Sequence, residues 1–192
     1  MRKAPPPPPA MMLAARLHGP KDLRLERVPS NAVTVRKRRV ANLDEFLAAF
    51  AEERDRSRYV VGWIDALSSG VSMGRGILEA ASPAVEGVEQ APRKARRVPV
   101  DFPGFALNSL SVRMFNHAYW SRVPRGGLER RSAYREFLFP LDALHDWNRI
   151  YGKRGFHQFQ CVVPFEEGPA ALGKMLELIA KSGRGSFLAV LK

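Results

Sequence analysis

Apolar residues recur along most of this chain at the spacings of short strands and amphipathic helices. Val33 and Val35 alternate with polar neighbours, which predicts a strand over Ala32 to Val40. Leu43, Phe46, Leu47 and Phe50 follow at i, i+3, i+4 and i+7, one stripe of a helix. Asn42 stands where an N-cap belongs, and Glu45 lies three residues on, as a capping box requires. A strand is predicted over Arg58 to Asp65. Gly70, Gly74 and Gly76 lead from it into another over Ile77 to Ala81. Ala106 to Trp120 has no helix breaker and groups Leu107, Leu110, Met114 and Tyr119 on a broad face. Glu166 to Ser182 has the same character through Leu172, Met175, Leu176 and Ile179, with Gly183 placed to end it.

Between these helices the pattern predicts a strand over Tyr134 to Phe139, stopped by Pro140, which has no N–H to give a ladder. Leu144, Trp147 and Ile150 are three apart, the spacing of one helical face. Gly152 and Gly155 bracket a basic turn. Phe156 to Val163 then predicts a strand with Phe156, Gln158, Gln160 and Val162 on one face and His157, Phe159, Cys161 and Val163 on the other. Two neighbouring amides on so apolar a segment need hydrogen-bond partners: water, backbone or a polar ligand. Cys161, facing away from them, reads as a buried inert thiol. Ser186 to Lys192 is a last strand. Ser82 to Pro103 and Ser121 to Arg131 read as exposed loops. The predicted class is α+β, a mostly antiparallel sheet with helices on one face.

Pro5 to Pro9 favour an extended polyproline conformation and build no core, so residues 1 to 10 read as a disordered tail. Residues 11 to 29 differ in character from the rest of the chain and form a hairpin-like segment. The segment resembles the opening of zinc-type alcohol dehydrogenases. One cysteine and four scattered histidines give no zinc spacing, and no internal disulfide can form.

The chain of 192 residues carries 31 Lys and Arg against 19 Asp and Glu, a net charge of +12. Such an excess suits nucleic acid, an anionic membrane surface or a phosphorylated substrate. Its clusters, Arg36-Lys37-Arg38-Arg39 and Arg93-Lys94-Ala95-Arg96-Arg97, read as solvated surface. No apolar run approaches the ~20 residues of a membrane span, and the N-terminal prolines are unlike a signal peptide. The expectation is a cytoplasmic protein, with a peripheral membrane association left open.

One stretch is more specific. Phe139-Pro140-Leu141-Asp142, Trp147-Asn148-Arg149-Ile150-Tyr151-Gly152, and Gly155-Phe156 with Gln158, Gln160 and Pro164 together resemble the flavin-dependent sugar oxidases of the vanillyl-alcohol-oxidase type. Tyr59 to Asp65, Gly74-Arg75-Gly76 and Ser186 to Lys192 agree with that resemblance in one continuous register from Val33. It implies that residues 30 to 192 are a truncated cap, or substrate, domain. It also implies FAD as cofactor, a CH–OH group of a sugar as the site of oxidation, and a polyprenyl-phosphate sugar or related carbohydrate as ligand. The flavin-binding domain would be a separate partner, and FAD is not expected to bind this chain alone. Four residues match pocket positions of the family: Gln158 and Gln160 toward the flavin ring and sugar hydroxyls, Lys192 as a nearby positive charge, and Trp63 as an apolar wall. The residues themselves leave an alternative standing, a non-catalytic basic domain that binds nucleic acid through Phe115, Tyr119 and Trp120, or binds a protein.

Overall fold

A computed structural model describes residues 27–89, 96–105, 107–153 and 155–192. The predicted tail and nearly all of the hairpin-like segment lie outside those residues. Five strands make one antiparallel sheet in the order β5-β1-β3-β2-β7. They are β1 (Ala32–Val40), β2 (Tyr59–Ile64), β3 (Gly76–Pro83), β5 (Leu128–Ala133) and β7 (Val190–Leu191). β4 (Arg96–Arg97) and β6 (Leu144–His145) pair in parallel as a separate two-stranded ladder. The helices are α1 (Leu43–Arg54), α2 (Ser109–Ser121), the short α3 (Tyr134–Leu138) and α4 (Gly168–Ser182). This is the expected α+β class with a mostly antiparallel sheet.

The register divides the sheet into two chemically distinct faces. Val40, Leu78 and Ile64 point to one side, where they pack with Leu43, Phe46 and Ala49 of α1 and Leu176 of α4. Val33, Val35 and Ala81 point to the other and receive Tyr134 and Phe137 of α3. Farther along that second face, Trp63 and Ile77 meet Val123, Tyr119 and Trp120 at the end of α2. α1 starts as its sequence dictates: Asn42 Oδ1 accepts from Glu45 N at 2.9 Å, and Glu45 Oε2 accepts from Ala41 N at 2.8 Å. α2 is capped by Asn108, in a reciprocal box with Ser111. Gly183 ends α4 at φ 68°, a conformation that glycine adopts without steric cost.

The basic run of β1 is largely neutralised inside the fold. Arg36 pairs with Glu53 of α1 at 2.6 Å, and Arg38 reaches Glu45 and Glu52 at 3.7 and 3.5 Å. On the opposite face Lys37 pairs with Glu79 at 2.6 Å, and Arg39 lies 4.3 Å over the Trp120 ring. Alternation along one strand thus sends four consecutive cations to two different sets of partners.

Four predicted elements are corrected. Tyr134 to Phe139 is helical through Leu138, because Tyr134 and Phe137 are one turn apart and pack together on Val33 and Val35. The strand of that region is β5, which begins within the predicted loop Ser121 to Arg131 and runs on to Ala133. Its polar sequence LERRSA suits a sheet edge with most side chains in solvent. Phe156 to Val163 is not a strand. It runs as exposed coil, with Phe159 83% and Val162 96% exposed, and Cys161 is exposed as well. Among the described residues no neighbouring strand hydrogen-bonds to it, and an extended apolar segment without a ladder partner has no sheet to belong to. Leu144, Trp147 and Ile150 fall instead on β6 and on a 3₁₀ turn, Trp147–Tyr151, whose period of three their spacing also fits.

Candidate functional site

Five residues of the oxidase-like stretches, Trp63, Trp147, Tyr151, Phe156 and Phe187, meet Phe115 and Tyr119 in a run of seven aromatic rings drawn from separate parts of the chain. Trp63, on β2, lies 4.8 Å from Tyr119 of α2, centroid to centroid. Tyr119 and Phe115, one helical turn apart, stack at 5.9 Å. Phe115 meets Phe187 at 5.4 Å, and Phe187 stacks on Tyr151 at 5.1 Å. Tyr151 touches Phe156 at 4.5 Å, and Phe156 touches Trp147 at 5.2 Å. Centroid separations of this size and tilted or offset rings are the favourable geometry for aromatic pairs.

Local structure explains how so many segments converge. β7 docks on β2 with Trp63 opposite Val190 and Gly62 opposite Leu191. The Trp63 indole N–H donates to the Phe187 carbonyl at 2.8 Å, which fixes the segment leading into β7. The 3₁₀ turn from Trp147 ends at Gly152, φ 65°, whose Cα approaches the Phe102 carbonyl so closely that a Cβ would sit 2.5 Å from its oxygen. That turn directs Tyr151 toward Phe187. The ladder is buried at Trp63, 8% exposed, and opens to solvent at Phe115 and Phe156.

The four predicted site residues divide into two groups. Trp63 is a core residue at the buried end of the ladder and shares a face with Val190. Lys192 follows β7 directly and is exposed. Gln158 and Gln160 lie on the exposed coil just beyond Phe156, at the open end. They are reached by solvent and are not paired on a strand face. Ordered aromatic surface followed by free amides can hold a ligand with apolar faces and hydroxyl edges.

A polar centre behind the ladder was only partly legible. Asp65, the residue after β2, is 1% exposed. Its Oδ2 accepts from Arg75 Nε at 2.9 Å and Nη2 at 2.7 Å, and its Oδ1 accepts from Asn116 Nδ2 at 2.7 Å and Leu67 N at 3.2 Å. Arg75 also sits 5.2 Å from the Trp120 ring. One carboxylate therefore ties the end of β2, the turn before β3 and the middle of α2, and it sets the height at which α2 presents Phe115 and Tyr119. Trp120 donates its indole N–H to the Val40 carbonyl at 2.9 Å. Tyr119 and Trp120 are thus engaged in packing and Phe115 alone of the three is exposed, so they do not form the free row of rings that the nucleic-acid alternative needs.

The Gly74 to Gly76 and Gly183 to Gly185 stretches are fixed by turns and close packing. Gly76 is required by packing, since a Cβ there would lie 2.2 Å from the Trp63 carbonyl oxygen, and Gly183 and Gly185 belong to the end of α4 and its approach to Leu67. Among the described residues no cluster of His, Cys, Asp and Glu fits a metal ion, and no helix is long and apolar enough to cross a membrane.

No family model matches the chain. It is similar to the decaprenylphosphoryl-beta-D-ribose oxidase of Mycolicibacterium smegmatis, with 32% identity over 164 residues that take in 79% of this chain and 35% of the relative. The chain spans about a third of that relative's length. The similarity agrees with the FAD-linked oxidoreductase resemblance carried by the motifs of residues 139 to 164. Nothing comparable supports the zinc-type alcohol dehydrogenase likeness of residues 11 to 29.

Proposed function

We propose that residues 30 to 192 act as the substrate-side cap of an FAD-dependent oxidoreductase that oxidises a CH–OH group of a polyprenyl-phosphate sugar. The observation that carries this reading is the aromatic ladder. It begins at Trp63, passes through Phe187 and Tyr151, and opens at Phe156 beside Gln158 and Gln160. Those segments are the ones that bear the family resemblance.

The described residues fit one part of FAD and not another. Aromatic edges and free amides suit the rim of a flat heterocycle and the hydroxyls of a sugar. The turns around Gly74 and Gly183 use backbone N–H groups within the fold, Arg75 N on the Ser72 carbonyl, Gly183 N on the Ala180 carbonyl and Arg184 N on Ser182 Oγ, which does not suit them to a diphosphate. The cofactor supplies the redox chemistry when bound. The work of this chain is to bind and orient. Gln158 and Gln160 would donate to and accept from sugar hydroxyls, and Lys192 would favour negative charge developing near the sugar. Trp63 would anchor the buried end of the ladder, at whose open end the glutamines lie. The flavin diphosphate would be held by a separate flavin-binding unit, and the chain by itself would neither retain FAD nor turn over. The +12 charge suits work at an anionic membrane surface, where a polyprenyl phosphate resides.

The experiment is a chimera in which residues 33 to 192 replace the aligned segment of the Mycolicibacterium oxidase. Retention of the yellow cofactor, with its anaerobic bleaching by a polyprenyl-phosphate ribose, supports the reading. A chimera that folds and binds FAD but leaves it oxidised refutes it.

A further inference from the structure

On the second face of the sheet, between the end of α2 and β5, lies a cleft of about 150 Å³ lined by Lys37, Glu79, Tyr119, Arg122 and Arg130 above an apolar floor that includes Ile77. One water needs only ~10–15 Å³, so the cleft has room for a small polar group and its hydration. Three cations face one carboxylate. Lys37 is already paired with Glu79 at 2.6 Å, with both side chains under one-fifth exposed. Arg122 is held 5.6 Å over the Tyr119 ring, and Arg122 and Arg130 have no carboxylate partner among the described residues. The mouth therefore carries two unneutralised guanidinium groups. The wall carries a phenol that burial, then the Glu79 carboxylate, hold above its ordinary pKa against the opposing pull of Arg122, so that it stays a hydrogen-bond donor.

We infer that this cleft binds the phosphoryl group of a phosphate ester. Two guanidinium forks, an ammonium and a phenolic O–H converge from three elements, the donor set that a tetrahedral dianion can satisfy and a single carboxylate would underuse. Glu79 holds Lys37 in place and tempers the charge, which keeps the site weak and reversible. The cleft reaches the aromatic ladder through Tyr119, whose ring packs on Trp63. The inference goes beyond the oxidase reading and does not depend on it, because no flavin takes part.

The purified chain is titrated with inorganic phosphate at constant ionic strength, following tryptophan emission, because Trp63 contacts Tyr119. Phosphorus NMR provides a second readout. Saturable binding is expected, and it should weaken about tenfold or more in the Arg122→Ala/Arg130→Ala double variant. Both arginines are exposed, so the fold tolerates the change. Glu79→Gln should tighten binding several-fold by releasing Lys37 to the anion, while Arg184→Ala, on the surface elsewhere, leaves it unchanged. Geranyl phosphate and ribose 5-phosphate then distinguish a lipid-borne from a soluble ester; the tighter of the two names the source, and either order keeps a phosphoryl site. Absence of saturation, equal binding by the double variant, or weaker binding by Glu79→Gln overturns the inference. A flavin-inactive chimera that still binds phosphate would refute the oxidase reading alone.

Discussion

The indole N–H of Trp63 donates to the backbone carbonyl of Phe187 at 2.8 Å, joining residues 124 positions apart. Through this bond the last segment of the chain is tied to a central strand, and β7 acquires its register on β2. Trp63→Phe keeps a ring against Tyr119 but leaves the carbonyl without its donor. The loss should be about 1–3 kcal/mol, the cost of a buried unsatisfied acceptor. Urea unfolding measures it, and amide exchange at Val190 and Leu191 should accelerate before the rest of the sheet is affected.

Asp65 should be among the least replaceable residues away from the apolar core. Its carboxylate is buried and its Arg75 partner side chain is only 18% exposed. Removing one partner strands the other, so Asp65→Ala should cost about 3–5 kcal/mol. Chemical denaturation reads this directly. Arg75→Ala should cost a comparable amount and should also alter tryptophan emission, because Arg75 borders Trp120.

Gly62 and Phe46 offer a test of packing. A Cβ on Gly62 would lie 2.0 Å from Phe46 Cζ, whereas one on Gly104 meets nothing within 4 Å. Gly62→Ala should destabilise by about 1–3 kcal/mol through overpacking. Its melting temperature should fall by about 2–4 °C for each kcal/mol in a chain of this size. Gly104→Ala should melt with the parent.

Tyr119 gives a pH signature. Burial, then Glu79, raise its pKa above 10.0, against the opposing pull of Arg122. A group whose folded pKa is raised contributes stability that is whole below its unfolded pKa and is lost as pH rises through the folded value. Stability should therefore hold to about pH 10 and then decline in part through this phenol, and Tyr119→Phe should remove that component. Tyrosinate absorbance against pH, beside unfolding curves at each pH, checks both statements.

The inner strands β1, β2 and β3 and the first helix could be read from the sequence because short-range rules decide them. Asn42 with Glu45 sets a helix start, and alternation in Ala32 to Val40 sets a strand with two useful faces. Gly183 marks the stop of α4 for the same local reason. Phe156 to Val163 misled because alternation is necessary for a strand and not sufficient: the ladder partner is a tertiary fact. β5 was missed for the converse reason. Its polar residues carry no apolar signal, and only pairing with β1 makes it a strand. At the candidate site, Trp63 and the aromatic motif residues were visible as residue types, but their order in space depends on how β7 and the 3₁₀ turn dock. Asp65 closes a predicted strand, and nothing local announces that Arg75 and Asn116 converge on it.

The glutamines are the sharpest part of the functional reading. Each amide that holds a hydroxyl should contribute about 1 kcal/mol, so Gln158→Ala/Gln160→Ala should slow substrate oxidation by about tenfold or more without changing stability. Their exposure on coil makes the second half of that statement as informative as the first. The measurement that bears most directly on the account is the anaerobic rate of flavin bleaching in the chimera that carries residues 33 to 192, with and without this double substitution. The account predicts bleaching by a polyprenyl-phosphate ribose that the substitution slows. A cofactor that stays oxidised, or one reduced equally fast in both proteins, would contradict it.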